Sequence, residues 1–184
     1  MIIQWSQRSK YYDLSHSDMD HETYQFRNSD VILDSKKDIK KEIFEIINKI
    51  KIPGKGTGMR DKLNKAFKEE FRKRGWAPKR IKINVKGKEE SFGEVDFFKD
   101  RVAIEVSFTH RSFIGVDLLK METLSFSIKD EIDLGIMIVV TDEFQKKHFP
   151  TTAGSMTLKQ ITRYLDGPYK SAIDVPILVI GLKD

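Results

Sequence analysis

The chain has 184 residues, a formal net charge of +5, 39% hydrophobic and 10% aromatic residues, and no cysteine. That length suits one compact domain with a sizeable core, and the missing cysteine excludes disulfide staples, thiolate metal sites and a cysteine nucleophile. No apolar run approaches the roughly 20 residues of a membrane span, and the opening MIIQWSQRSK does not read as a signal peptide, so a cytoplasmic protein is expected.

The charge is unevenly placed. Residues 51–88 hold 14 Lys and Arg against 3 Asp and Glu, whereas residues 1–50 hold 8 against 9 and residues 89–184 hold 11 against 16. A basic block on a mildly acidic remainder points to a polyanion partner, because Lys and Arg release counterions from phosphate; a solvated surface or basic linker is the plainer account.

Residues 1–34 are polar with scattered aromatics (Trp5, Tyr11, Tyr12, Tyr24, Phe26), with strands expected at Met1–Trp5 and Val31–Leu33. Asp34-Ser35 is placed to cap a helix over Lys36–Lys49, whose Ile39, Ile43, Ile46, Ile47 and Ile50 form one stripe. IPGKGTGMR breaks regular structure but lacks the GxxxxGK[ST] spacing of a nucleotide loop, so no nucleotide cofactor is expected. A second amphipathic helix covers Asp61–Arg74, with Leu63, Ala66, Phe67 and Phe71 inward, Lys62, Lys65, Lys68, Arg72 and Lys73 outward, and Gly75 at its end.

Arg80–Val85 alternates basic and apolar residues as a half-buried strand does, and 87–93 reads as a charged turn. Glu94–Phe98 and Arg101–Phe108 read as strands joined at Lys99-Asp100. A helix follows over Asp117–Lys129, with Leu118, Met121, Leu124, Phe126 and Ile128 partly on one face. Leu134–Val140 is a buried strand, 142–155 a loop, Leu158–Leu165 a short helix and Pro176–Leu182 a last buried strand. The alternation predicts an α/β fold: a mixed central β-sheet flanked by helices, in one domain with N-terminal (1–50), central (60–140) and C-terminal (141–184) stretches.

Asp96 and Glu105 carry the chemistry. Each sits between apolar neighbours on its strand, where a carboxylate needs a cation or metal partner, and the hairpin sets the two nearly opposite each other. Two such carboxylates, the backbone carbonyl of Val106 and water suit an oxygen-rich Mg²⁺ shell; pairing with Lys99 or Arg101 is the competing account. His16-Ser17-Asp18-Met19-Asp20-His21 shows no metal-ligand spacing, and no G-x-S-x-G elbow supports a hydrolase triad.

D-x8-E on a hairpin after a basic helix resembles the PD-(D/E)xK nuclease core, and DFFKDRVAIEVSF with IDLGIMIV resembles type II restriction endonucleases of the BglII/BstYI type. The resemblance covers residues 60–140 well, the C-terminus more loosely and residues 1–50 weakly. It implies a restriction-endonuclease-like core in which Asp96, Glu105 and the Val106 carbonyl ligate Mg²⁺ (or Mn²⁺). The third motif position falls on Ser107, where the superfamily usually carries Lys, Gln or Glu and the resembled type carries Gln; Ser can hydrogen-bond water but brings no charge. Glu69 or Glu70 would be a helix carboxylate of the site. Lys62, Lys65, Arg72 and Lys73 would grip phosphates, and Thr109, His110, Arg111, Ser112, Thr152 and Ser155 would face the bases. The implied activity is Mg²⁺-dependent cleavage of double-stranded DNA at a GATC-centred palindrome by a homodimer joined through the helices at 117–129 and 36–49. The rival is a DNA-binding module of the same fold whose catalysis Ser107 has impaired.

Overall fold

Apolar runs decide the middle of the molecule. VAIEV and LGIMIVV form adjacent strands buried along their whole length, which requires helices on both faces of the sheet. The computed structural model describes residues 19–52, 58–126, 131–149 and 156–183. In chain order its elements are β1 (Asp20–Phe26), α1 (Ser29–Ser35), α2 (Lys37–Lys49), α3 (Met59–Lys73), β2 (Ala77–Val85), β3 (Lys88–Lys99) and β4 (Val102–Val106); then α4 (Ile114–Ser125), β5 (Leu134–Val140), α5 (Asp142–His148), α6 (Leu158–Asp166) and β6 (Ile177–Lys183). The six strands make one sheet in the order β1-β6-β5-β4-β3-β2, with β4–β5 and β5–β6 parallel and the outer pairs antiparallel. The expected mixed sheet between helices is therefore present. Among the described residues no helix is long and apolar enough to cross a membrane.

The central strands alternate between two cores. Val102, Ile104 and Val106 of β4 and Leu134, Ile136, Ile138 and Val140 of β5 pack with α2, α3 and α5. Ala103, Met137 and Val139 face Leu118, Met121 and Leu124 of α4 and Leu158, Ile161 and Leu165 of α6. Gly135 lets α4 approach: a Cβ there would run into Met121 and Ile177. The end of α3 follows from its sequence. Gly75 takes φ 81°, its N–H bonds Arg72 O and the Trp76 N–H bonds Phe71 O, a Schellman closure; Trp76 then packs on Phe71 with ring centroids 5.4 Å apart.

Several elements differ from the sequence reading. Residues 31–33 belong to α1: a three-residue apolar run carries no period, and here Leu33 is buried while Val31 is exposed. Asp34 and Ser35 do not cap α2, because Ser35 Oγ donates to Ile32 O and Asp34 holds Lys40. Residues 88–93 are strand, and the turn is only Lys86-Gly87, both at positive φ as a two-residue hairpin requires. The next turn is Asp100-Arg101, one residue later than expected, with φ of 47° and 64°. Such backbone costs on the order of 1–2 kcal/mol per residue, and tertiary bonds hold it: Arg101 Nε donates to Asp133, Asp133 N–H to Arg101 O and Lys36 to Asp100 O. Helix α4 starts three residues early and ends at Ser125, leaving Phe126 exposed. Residues 142–148 are helical, with the Thr141 hydroxyl accepting the Phe144 N–H, acids in the first turn and bases in the last.

Glu70 ties α3 to α2. Lys49 and Lys73 reach its two oxygens at 2.8 and 2.6 Å, and their hydrogen bonds hold its carboxyl down to about 2. A depressed carboxylate contributes stability above its ordinary pKa of 4.5 and loses it as pH falls toward 2. Glu70→Gln is accordingly expected to lower the urea midpoint at pH 7, with the gap to wild type closing as pH drops below 4.5.

Candidate active site

The β2–β3 register places the first acid. Ala77 faces Phe98 and Lys79 faces Val95, so Asp96 and Phe97 on β3 together oppose Pro78 on β2. Pro78 has no N–H to give the ladder, and the resulting bulge breaks the alternation of β3: Val95 lies in the α4 core and Phe97 in the α3 core. Bulges re-aim side chains, and here Asp96 turns its Oδ2 onto the Val106 N–H at 2.9 Å. The β3–β4 register pairs Phe97 with Ile104, so continuing it one step sets Asp96 opposite Glu105. The shifted turn is what aligns the two acids directly.

Their surroundings differ. Asp96 is exposed, contrary to the expectation of two desolvated acids, while Glu105 is 4% exposed near the end of a fully buried strand. Neither takes the cations weighed as alternatives: Lys99 bonds Glu42 and Arg101 bonds Asp133. The partner of Glu105 is Lys120 of α4, with Nζ 2.8 Å from Oε1. Lys120 also lies 3.1 Å from Asp117 Oδ1, and Asp117 Oδ2 accepts the Ser107 hydroxyl at 3.1 Å. Ser107 Oγ is 3.1 Å from Thr109 Oγ1, and its N–H extends the β4–β5 ladder to Ile138 O. Burial, then the nearby Asp96 and Asp117 charges, push the Glu105 carboxyl up to about 9 against the pull of Lys120. Burial also raises Asp117, with Lys120 and Ser107 opposing it.

These groups line an open cleft of about 460 Å³. Asp96, Glu105, Val106 and Ser107 meet there as expected. Asp117, Lys120, Asn64 and Lys68 line it too, none of which the sequence reading assigned to the site. Asn64, Lys68 and Arg72 succeed one another at i, i+4 and i+8, a single face of α3, and that spacing was the available signal. For Asp117 and Lys120 the signal was an i, i+3 charge pair on a helix whose neighbours Leu118 and Met121 are core.

Of the expected phosphate contacts only Arg72 lines the cleft. Lys62 and Lys65 are exposed on other sides of α3, Lys65 near Glu69, and Lys73 bonds Glu70. Neither Glu69 nor Glu70 reaches the cleft: Glu69 is exposed beside Lys65, and Glu70 lies between α3 and α2. The helix carboxylate that lines the cleft is Asp117 of α4. Thr109 lines the cleft, and exposed His110, Arg111 and Ser112 follow it into a 3₁₀ turn, where the His110 ring accepts the Ser112 N–H. Thr109 O accepts the Met156 N–H at 2.8 Å, which brings the residue after Ser155 beside the first of the residues expected to face the bases. Thr152, Ser155, His16, Ser17 and Asp18 lie outside the described residues, as does the strand expected at Met1–Trp5. His21 is buried and stacks on Phe44.

Among the described residues no three or more His, Asp or Glu side chains converge as a metal cage. The donor set still fits Mg²⁺, which keeps waters and phosphate oxygens and takes one or two protein carboxylates. Asp96 keeps Oδ1 free of the Val106 N–H, and burial beside two other carboxylates leaves Glu105 short of positive charge.

The chain shares its fold with a solved restriction endonuclease. The crystal structure of restriction endonuclease BglII complexed with a DNA 16-mer superposes with a TM-score of 0.69, covering 90% of this chain and 78% of that one at 21% identity. No curated protein sequence matches the chain. The model of the family "Restriction endonuclease BglII/BglIII" matches residues 21–182, the whole sheet nearly from edge to edge. The chain therefore belongs to the BglII/BglIII restriction endonuclease family, type II site-specific deoxyribonucleases.

Proposed function

We propose that this chain, working as one nuclease domain, is a Mg²⁺-dependent endonuclease that hydrolyses double-stranded DNA at a palindrome centred on GATC. The observation that carries the endonuclease reading is the meeting of Asp96 and Glu105 at a cleft whose other wall is the Asn64, Lys68 and Arg72 face of α3; the GATC centre is what the family resemblance implies. Asp96, Glu105 and the Val106 carbonyl would hold the ion, which supplies positive charge to the scissile phosphate and lowers the pKa of a nearby water. Lys68 and Arg72 bind the backbone, and Ser107, fixed by Asp117, orients water by hydrogen bonding. His110, Arg111 and Ser112 stand exposed where base edges would come. Mn²⁺ serves the same donors, and the cytoplasm is the expected compartment.

A homodimer fits a palindrome, and α4 supports it. Val116, Leu119 and Phe126 are exposed at intervals of three and seven, an apolar stripe on the solvent side of the helix. Helix α2 offers less, since Ile39, Ile43, Ile46 and Ile47 are consumed by the core.

Digestion of a sequenced phage genome with Mg²⁺ tests the central reading: wild type should give discrete fragments with one shared end sequence, and Asp96→Ala and Glu105→Ala none. Duplex that is shifted but never cut by wild type would favour the binding module whose catalysis Ser107 has impaired. Lys68→Ala and Arg72→Ala should each make the slope of log affinity against log salt shallower by about 1, equally across all sequences, since each side chain neutralises one phosphate. Val116→Glu with Leu119→Glu should convert dimer to monomer by sedimentation; an unchanged mass would place the interface elsewhere.

A further inference from the structure

Ser107 leaves the third motif position without charge, yet the site holds an ammonium that arrives from another element. Lys120 lies one helical turn after Asp117 on α4, and its stem runs along β3, with Cε 3.6 Å from where a Cβ on Gly93 would stand. Its Nζ is 2.8 Å from Glu105 Oε1 and 3.1 Å from Asp117 Oδ1, and it opens on the cleft with Asp96, Glu105 and Ser107. Asp117 binds the ammonium with one oxygen and the Ser107 hydroxyl with the other, so one carboxylate fixes both groups. A lysine placed only to neutralise Glu105 would need no opening on the cleft. The other cations of the cleft, Lys68 and Arg72, stand on the α3 wall.

We propose that Lys120 is a catalytic residue of the cleavage reaction, its ammonium contacting the attacked phosphate and supplying from α4 the charge that Ser107 lacks, with Asp117 positioning both. The inference rests on the endonuclease reading. In the hydrolysis a water oxygen bonds to phosphorus while the P–O3′ bond breaks; the water loses a proton to solvent and O3′ gains one, leaving a 5′-phosphate and a 3′-hydroxyl. Lys120 keeps its proton throughout and stabilises the negative charge that builds on the phosphoryl oxygens.

The test compares single-turnover plasmid cleavage in Mg²⁺ by wild type, Lys120→Met, Lys120→Arg and the double variant Ser107→Lys with Lys120→Met. Duplex binding in Ca²⁺ and Mn²⁺ binding by the DNA-free proteins, followed by thermal shift, are read in parallel. Lys120→Met should cut roughly 10²-fold more slowly while duplex binding falls by far less than the rate. It should also bind Mn²⁺ more tightly, because a neighbouring ammonium repels a dication. Lys120→Arg should keep most of the rate, and the double variant should recover part of it by returning the charge to the strand. Should Lys120→Met fail to fold, Lys120→Gln replaces it, keeping hydrogen bonds to Glu105 and Asp117 without the charge. An uncharged variant that cuts at the wild-type rate, or slows only as far as duplex binding falls, overturns the proposal alone. Wild type that cuts no duplex overturns the endonuclease reading and the proposal with it.

Discussion

The desolvation of Glu105 is the constraint on which the site depends. A carboxylate near the end of a strand buried on both faces cannot keep its charge unaided, because burial removes the water that would stabilise it. One feature of the fold answers that cost: helix α4 brings Lys120 onto one oxygen, held in place by Asp117, while the Asp96 and Asp117 charges themselves add to it. The arrangement sets three carboxyl groups around one ammonium, so a further cation there would favour their charged forms.

Charge elsewhere is divided by the same logic. From the basic 51–88 block, Lys62, Lys65, Arg72 and Lys73 were expected to grip phosphates, but helix geometry sorts the block differently. Lys68 and Arg72 share the cleft face with Asn64, while Lys73, with Lys49, is drawn to Glu70 and fastens α3 to α2. The acids of 89–184 are sorted likewise. Asp133 holds the Arg101 turn and Glu122 accepts the Asp174 and Val175 N–H groups, whereas Asp96, Glu105 and Asp117 share the cleft. Neighbours in sequence therefore serve different ends, since adjacent helix positions point about 100° apart.

Much of the architecture was legible because the period and the burial agree. Leu134–Val140 is continuously apolar and is a central strand to the residue, and Gly75 ends α3 where a positive φ is needed. The pair Asp96 and Glu105 was legible because a hairpin register constrains it from both sides. The failures have common causes. Three apolar residues at 31–33 are too few to show a period, and Asp100-Arg101 is a turn only because Asp133 and Lys36 hold it from distant elements. Glu69 or Glu70 was expected as the helix carboxylate and Asp117 was passed over, because sequence shows an acid on a helix but not what that helix turns it toward.

By itself, then, the sequence determined the class of fold, the family and the opposed placement of Asp96 and Glu105 on their hairpin, since alternation, apolar runs and a short hairpin are local properties that survive without a partner. Tertiary structure alone decided the rest of the site. It chose which face of α3 meets the cleft, turned Asp117 of α4 rather than Glu69 or Glu70 of α3 toward it, and laid Lys120 beside the Glu105 that lies fifteen residues before it. Those outcomes depend on how α3 and α4 rotate as they pack on the sheet, and that rotation is set by core contacts such as Met121 over Gly135, which no local pattern encodes.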